Sequence, residues 1–446
     1  MTISHERVRQ LLADATNRLA SQEVAVGDQV VSMPSVGDVR RRRLSEFDRS
    51  HDAGFLTLVQ GADGLLDWQV DAGPSRYPSR RAARRGLFDA QPIDQVAFKP
   101  VQGSEVAAFL SKLDRGFNPR YGLFDLDGQR CDTVRAQGRI LLIVHGTFSK
   151  CDAIVDQLDK LTDGSGRQLL RAARAHYDQV LLFEHPTLAV GPMLNALDLA
   201  RAFGSTNAQL DVVCHSRGGL VARWWLEVLS PHLASRARVV FVGSPLMGTG
   251  LASPYRLRTA LKMLTNFAVA LEQASALAAL AMPLFAVVQG LMTLVASSSA
   301  LLAKTPIADG AVAMVPGLAA MSRFGPDGGD FISGNYELEK LGFGWTQVPN
   351  SYFAVTSNFE SPAVGWNFWQ AFRGLKERVA DAATDALFSG DNDLVVDTDS
   401  MTRIAVAAQI QDPARKLEFG TNAVVHHLNY FSQARTAAFV RQSLGF

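Results

Sequence analysis

The sequence predicts an α/β layer fold: a mostly parallel sheet flanked by helices over residues 136–446, behind a small mixed α+β region at 1–135. Three observations lead there. After Arg139, short runs of β-branched residues and leucine alternate with amphipathic segments. The runs are apolar at nearly every position rather than at every second one, as expected of strands covered on both faces. One of them, "LDVVCHSRGGLVARWW", passes through a serine and two glycines directly into a helical pattern.

Bulk properties set the limits. A chain of 446 residues can bury a large core and add a smaller second unit. With 47% hydrophobic residues, 20% charged residues and a net charge of +1, it is an ordinary folded protein that does not call for nucleic acid as a partner. Cys131, Cys151 and Cys214 are odd in number and lack metal-type spacing, so neither a disulfide framework nor a metal site is expected.

In chain order, Val8, Leu11, Leu12, Ala15 and Leu19 share one face of a helical repeat with charges between them. That pattern predicts an amphipathic helix rather than a signal peptide, and hence a cytoplasmic protein. "GFLTLVQGADGLLDWQV" (54–70) predicts a hairpin around a Gly-Ala-Asp-Gly turn. The arginine clusters at 40–43 and 80–85 sit in a region of balanced charge and predict solvated faces. The sheet strands are "RILLIVHG", "QVLLFEH", "QLDVVCHS", "ARVVFVGS", "SYFAVTS" and "RKLEFG". "GGLVARWWLEVLS" is the clearest helix, and "YFSQARTAAFVRQSLGF" closes the chain.

An insertion at about 250–348 interrupts the alternation, and its centre, 276–303, has no charge. Its length would permit a membrane span. A single crossing, however, would separate "SYFAVTS" from "ARVVFVGS", which belong to one sheet, and Pro283 interrupts the stretch. The expectation is therefore a helical apolar cap, with peripheral membrane docking as the alternative.

A serine hydroxyl is a weak nucleophile unless a sharp turn presents it beside a base. Cys214-His215-Ser216-Arg217-Gly218, followed by Gly219, has the form of such a strand-turn-helix elbow, with small residues two before and two after the serine. An oxyanion hole needs backbone N–H groups aimed at the developing charge. "LLIVHGTF" ends an earlier strand where those donors belong, which nominates the amides of Thr147 and Arg217, with Phe148 as substitute; His145 is read as shaping that loop. The base should follow the serine in sequence, and beyond residue 232 only His426 and His427 remain. For the orienting acid, "SGDNDLVVDTDSM" offers Asp391, Asp393, Asp397 and Asp399.

On "VHGTF", "CHSRGGLVAR", "VFVGSPLMGTG", "NDLVV" and "HHLNYF", residues 139–446 resemble lipase-type α/β-hydrolases, in particular bacterial lipases and the GPI-inositol-deacylase-like group. The resemblance implies a Ser216/Asp393/His427 triad: Asp393 stands before an "LVV" run like the lipases' acid, and His427 has their His-Leu-Asn register. Asp391 and His426 remain the alternates. It also implies a helical lid over an acyl pocket and no cofactor. Two positions depart from the pattern. Cys214 stands where a glycine is usual, and Asn429 stands where secreted lipases carry a calcium-binding aspartate, so no metal is carried over. The expected function is serine-dependent hydrolysis of lipid or other long-acyl esters. A thioesterase or protein deacylase with the same triad, or a silent docking scaffold, is the alternative. The oligomeric state is not legible.

Overall fold

The computed structural model describes residues 4–21, 26–31, 54–71, 91–98, 105–252, 257–273, 284–286, 288–293, 295, 315–323, 335–360 and 391–446. They fall into two compact units. Both arginine clusters and most of 276–303 lie outside the described residues.

The first unit comprises Met1–Gly116, Leu257–Met314 and Ala363–Phe372. Its sheet is built from β1 (Val26–Val31), β2 (Gly54–Gln60), β3 (Leu66–Asp71) and β4 (Gln91–Phe98), in the order β1-β4-β2-β3 and antiparallel throughout. Gly64, at φ +79, closes the β2–β3 turn, a conformation that suits a residue without Cβ. The helix His5–Ser21 buries Val8, Leu11, Leu12, Ala15 and Leu19, the face its periodicity marks out. At the edge strand β3, the Asn266 side chain of the helix Leu257–Gln273 stands in for a missing strand. Its Oδ1 accepts from the Leu66 amide at 2.8 Å, and its Nδ2 donates to the Leu66 carbonyl at 2.8 Å. This satisfies the outward backbone groups of one edge residue, Leu66, and leaves that position no free group for pairing with another chain.

The second unit comprises Phe117–Arg256, Val315–Pro362 and Arg373–Phe446. Its strands are β5 (Gly122–Phe124), β6 (Arg139–Val144), β7 (Gln179–Glu184), β8 (Gln209–His215), β9 (Ala237–Val242), β10 (Tyr352–Phe359) and β11 (Lys416–Asn422). They form one sheet in the order β11-β10-β9-β8-β6-β7-β5, parallel except for β5. This is an α/β-hydrolase fold, and β8, which ends at the serine, runs up its middle.

Side chains alternate across the sheet. Leu141, Ile143, Leu182, Val240, Val242 and Val355 form one core with the helices Cys151–Asp159, Ser165–His176 and Ala434–Leu444. The opposite face carries the helices Pro192–Phe203 and Gly218–Arg223, the latter continuing as a π-helix over Trp224–Leu229. Trp225 packs there against Phe203, with ring centroids 4.5 Å apart. Each buried side chain of this size contributes about 1.5–3 kcal/mol, so the two cores hold the central strand rigidly between them.

The division of the chain differs from the expected one in two respects. The second unit begins at Phe117 rather than near 136, because β5 joins its sheet by antiparallel pairing with β7. The insertion is shared: Leu257–Gln273 packs on β3 of the first unit, whereas 315–323 and 335–350 belong to the second. Periodicity reports an apolar helix face but not which sheet it covers. Among the described residues, no helix is long and apolar enough to cross a membrane.

Candidate active site

β8 ends at His215, and Ser216 takes φ +53 before the helix begins at Gly218. A left-handed backbone on a residue with a side chain costs on the order of 1–3 kcal/mol. The turn is held by its neighbours. The Ser216 amide donates to the Val242 carbonyl at 2.9 Å, and the Gly219 amide donates to the Ser216 carbonyl at 2.9 Å. Both glycines are required by space. A Cβ on Gly218 would lie 2.6 Å from the Val144 carbonyl oxygen, and one on Gly219 would lie 2.6 Å from Ser244 Cβ. Cys214 is accommodated as a buried thiol 3.5 Å from the Val240 carbonyl oxygen, and burial raises its pKa, so it stays an inert thiol.

Ser216, His427 and Asp393 come together in one hydrogen-bonded row. His427 Nδ1 lies 2.8 Å from Asp393 Oδ2, and His427 Nε2 lies 2.8 Å from Ser216 Oγ. A carboxylate only accepts, so Nδ1 carries the proton and Nε2 presents its lone pair to the serine hydroxyl. Asp393 is fully buried and accepts two backbone amides on Oδ1, from Val395 at 3.1 Å and Val396 at 2.9 Å. Tyr430 donates its phenol to Oδ2 at 2.9 Å. The loop that carries Asp393 turns at Leu394, with φ +84. Ser216, Phe148 and Leu394 are the non-glycine residues with positive φ among the described residues, and all three belong to the loops of this row.

The loop after β6 lies against the serine: a Cβ on Gly146 would sit 2.6 Å from Ser216 Cβ. His145 Nδ1 donates to the Gly146 carbonyl at 2.8 Å, while its Nε2 accepts from the His185 amide at 3.2 Å. A trans peptide points its C=O and N–H in opposite directions. Anchoring the Gly146 carbonyl therefore fixes the direction of the Thr147 N–H, which meets no acceptor among the described residues. Arg217 stands just ahead of Gly218, where first-turn amides have no intrahelical acceptor. Its buried guanidinium donates from Nη2 to the Val190 carbonyl. The substitute donor, Phe148, already gives its amide to Thr187 Oγ1 at 3.3 Å.

The alternates lie elsewhere. Asp391 is exposed, and its carbonyl accepts from Thr398. The His426 ring accepts the Leu428 amide on Nδ1 at 3.2 Å and packs edge-on against Phe359. Asp397 lies 3.6 Å from Arg323, and Asp399 pairs with Arg403 at 2.9 Å. Asn429 closes the histidine loop, accepting from the His426 amide at 2.9 Å and donating to the Val424 carbonyl at 2.8 Å. No cluster of potential metal ligands occurs among the described residues.

Sequence reasoning missed three supports. Tyr430 stands in the "HHLNYF" run with nothing in the pattern to mark its phenol. His215 donates from Nε2 to the His427 carbonyl at 2.9 Å, tying the elbow to the histidine loop. Glu184 accepts from Asn118 at 2.6 Å and from the Cys151 amide at 3.1 Å beneath the Gly146 loop. The position of His215 beside the serine was a usable signal; Asn118 and Glu184, far apart in the chain, offered none.

Burial holds several histidines neutral. It pushes His145 and His426 down to about 4, His215 to about 3, and His185 well below its usual value. Between those values and the unfolded value near 6.5 the unfolded chain binds more protons, so this stability is present above about pH 6.5 and is lost on acidification. Glu184, raised by burial, opposes the trend in its own range. The unfolding free energy from urea titration is expected to fall by about 2 kcal/mol or more between about pH 7 and 5. A flat profile would contradict the neutral assignment.

The fold is similar to two solved lipases. The first is the Bacillus licheniformis lipase BlEst2 in mature form, 14% identical, with a TM-score of 0.35 over 70% of this chain and 93% of that one. The second is lipase 1 from Pelosinus fermentans, 12% identical, with a TM-score of 0.39 over 69% of this chain and 98% of that one. No curated protein sequence matches the chain. A family model described as a domain of unknown function, DUF7379, matches residues 118–445, a span that contains the whole serine-histidine-aspartate row, and the chain belongs to that family.

Proposed function

We propose that the protein is a serine hydrolase of carboxylic esters, acting through an acyl-enzyme on Ser216. The observation that carries this reading is the continuous row from Ser216 Oγ through His427 to Asp393, with both contacts at 2.8 Å. In the first half-reaction, Ser216 Oγ attacks the ester carbonyl while its proton passes to His427 Nε2. The Thr147 and Arg217 amides then face the oxyanion, and the imidazolium returns its proton to the departing alkoxide. Water attacks the acyl-enzyme by the same route, releasing the acid and restoring the serine. Asp393 keeps His427 in the Nδ1–H tautomer throughout.

The apolar insertion supports a long-acyl or lipid ester as substrate, with peripheral contact at a lipid surface. Ser216 is only 5% exposed, and Met321 of the insertion lies 3.8 Å from Thr147 Oγ1. Substrate entry in this reading displaces part of the insertion. No cofactor takes part.

A fluorophosphonate probe tests the reaction class. Wild-type protein is expected to be labelled, and Ser216→Ala is not. Equal labelling of both, or none of either, ends the proposal, and the latter favours a silent docking scaffold. Turnover of p-nitrophenyl esters of rising chain length, a phospholipid and an acyl-thioester then sorts lipase from thioesterase or deacylase.

A further inference from the structure

The fully buried Tyr430 touches the acid of the row but takes no part in the proton transfers above. Its phenol lies 2.9 Å from Asp393 Oδ2, the same oxygen that accepts His427 Nδ1–H, and 3.6 Å from Met401 Sδ. One phenolic proton serves one strong bond, and the carboxylate, nearer and charged, takes it. The space is made for this ring. Gly243 adopts φ +55, and a Cβ there would lie 2.6 Å from Tyr430 Cε2 and 3.2 Å from Asp393 Oδ2. Burial and the adjacent carboxylate raise the phenol well above its usual pKa, so it donates at every working pH.

We propose that Tyr430 is a positioning residue for the acid-base pair: its hydroxyl shares Asp393 Oδ2 with His427, fixing the carboxylate and moderating the charge it presents to the imidazole. This rests on the serine-hydrolase reading. The two backbone amides hold only Oδ1, so without the phenol the second oxygen is held by His427 alone. Around the imidazole stand Asp393, Ser216, His215 with its ring centroid at 4.9 Å, and His426, which interacts electrostatically. Asp393 is the carboxylate among them, so the share of its charge left for His427 decides how readily the imidazole takes the serine proton and how readily it gives it back.

The test is Tyr430→Phe, assayed with p-nitrophenyl butyrate across pH. Removing a donor from Oδ2 leaves more negative charge facing the imidazole and favours its protonated form. The acid limb of kcat/KM is expected to move up by about half a pH unit or more, with kcat about 10-fold lower and KM within about two-fold of wild type. Met401→Leu, which removes only the thioether, keeps the wild-type limb. If Tyr430→Phe folds poorly, 3-fluorotyrosine at 430 fills the same space with a stronger donor and is expected to move the limb down. A Tyr430→Phe protein with a lower Tm but an unshifted limb overturns the proposal, as does a wild-type kcat. Ser216→Ala separates the two levels: if it retains turnover, the serine-hydrolase reading fails and Tyr430 falls with it, whereas a dead Ser216→Ala beside a wild-type Tyr430→Phe sinks the tyrosine alone.

Discussion

Asparagine in place of Asp393 is expected to lower kcat for ester hydrolysis about 10⁴-fold in a protein that still folds. The reason lies in the donors that surround the carboxylate. Val395 and Val396 amides point at Oδ1, and Tyr430 and His427 point at Oδ2. An asparagine keeps its one carbonyl oxygen on the two backbone amides, which can only donate, whereas the phenol and the imidazole can each turn acceptor, and its NH2 then occupies the place of Oδ2. There it faces His427 Nδ1, which can respond only by giving up its proton and accepting. The imidazole proton moves to Nε2, and the ring can no longer receive the proton of Ser216. The remaining rate comes from the oxyanion amides and from substrate binding. Single-turnover acylation measures the effect directly, and loss of the Nδ1 proton resonance reports the tautomer. A variant that acylates within about 10-fold of wild type would remove Asp393 from the mechanism.

Much of the fold could be read because its signals are local. Strands such as "RILLIV" and "QLDVVCH" are apolar along their length because helices cover both faces, and the elbow reveals itself by the steric demand for small residues around Ser216. Chain order narrowed the base to two adjacent histidines, but local pattern does not separate them. What separates them in space is the loop geometry that Asn429 and His215 impose, turning one ring onto Ser216 and leaving the other against Phe359. The four aspartates pose the same difficulty. Asp393 is distinguished by the positive φ of Leu394, which a family with glycine at that position would advertise and this sequence conceals. The division into units was least legible. Asn266 meets Leu66 from 200 residues away through a side-chain amide, and no periodicity encodes that contact.

Arg223→Met is expected to destabilise the protein by about 3–5 kcal/mol, read as a lower urea midpoint at unchanged slope. The side chains of Arg223 and Glu227 are 1% and 3% exposed and meet through two hydrogen bonds, Nε to Oε1 at 2.9 Å and Nη2 to Oε2 at 3.0 Å. Arg223 also donates to the Leu246 carbonyl at 3.2 Å and the Leu341 carbonyl at 2.9 Å, while Tyr352 donates to Glu227 at 2.9 Å. The pair therefore joins the helix that follows the elbow to the loop after β9, to the insertion helix Tyr336–Gly342 and to β10. Methionine fills most of the volume but leaves Glu227 buried without its cation and two carbonyls without donors. The cost is that of the stranded charge rather than of lost packing, which gives the prediction a second arm. Adding Glu227→Leu and Tyr352→Phe removes the stranded carboxylate and the phenol that depended on it, and should recover most of the loss. If the triple variant is no more stable than Arg223→Met, the penalty lies in the Leu246 and Leu341 carbonyls, and the ion pair is incidental to the attachment of the insertion.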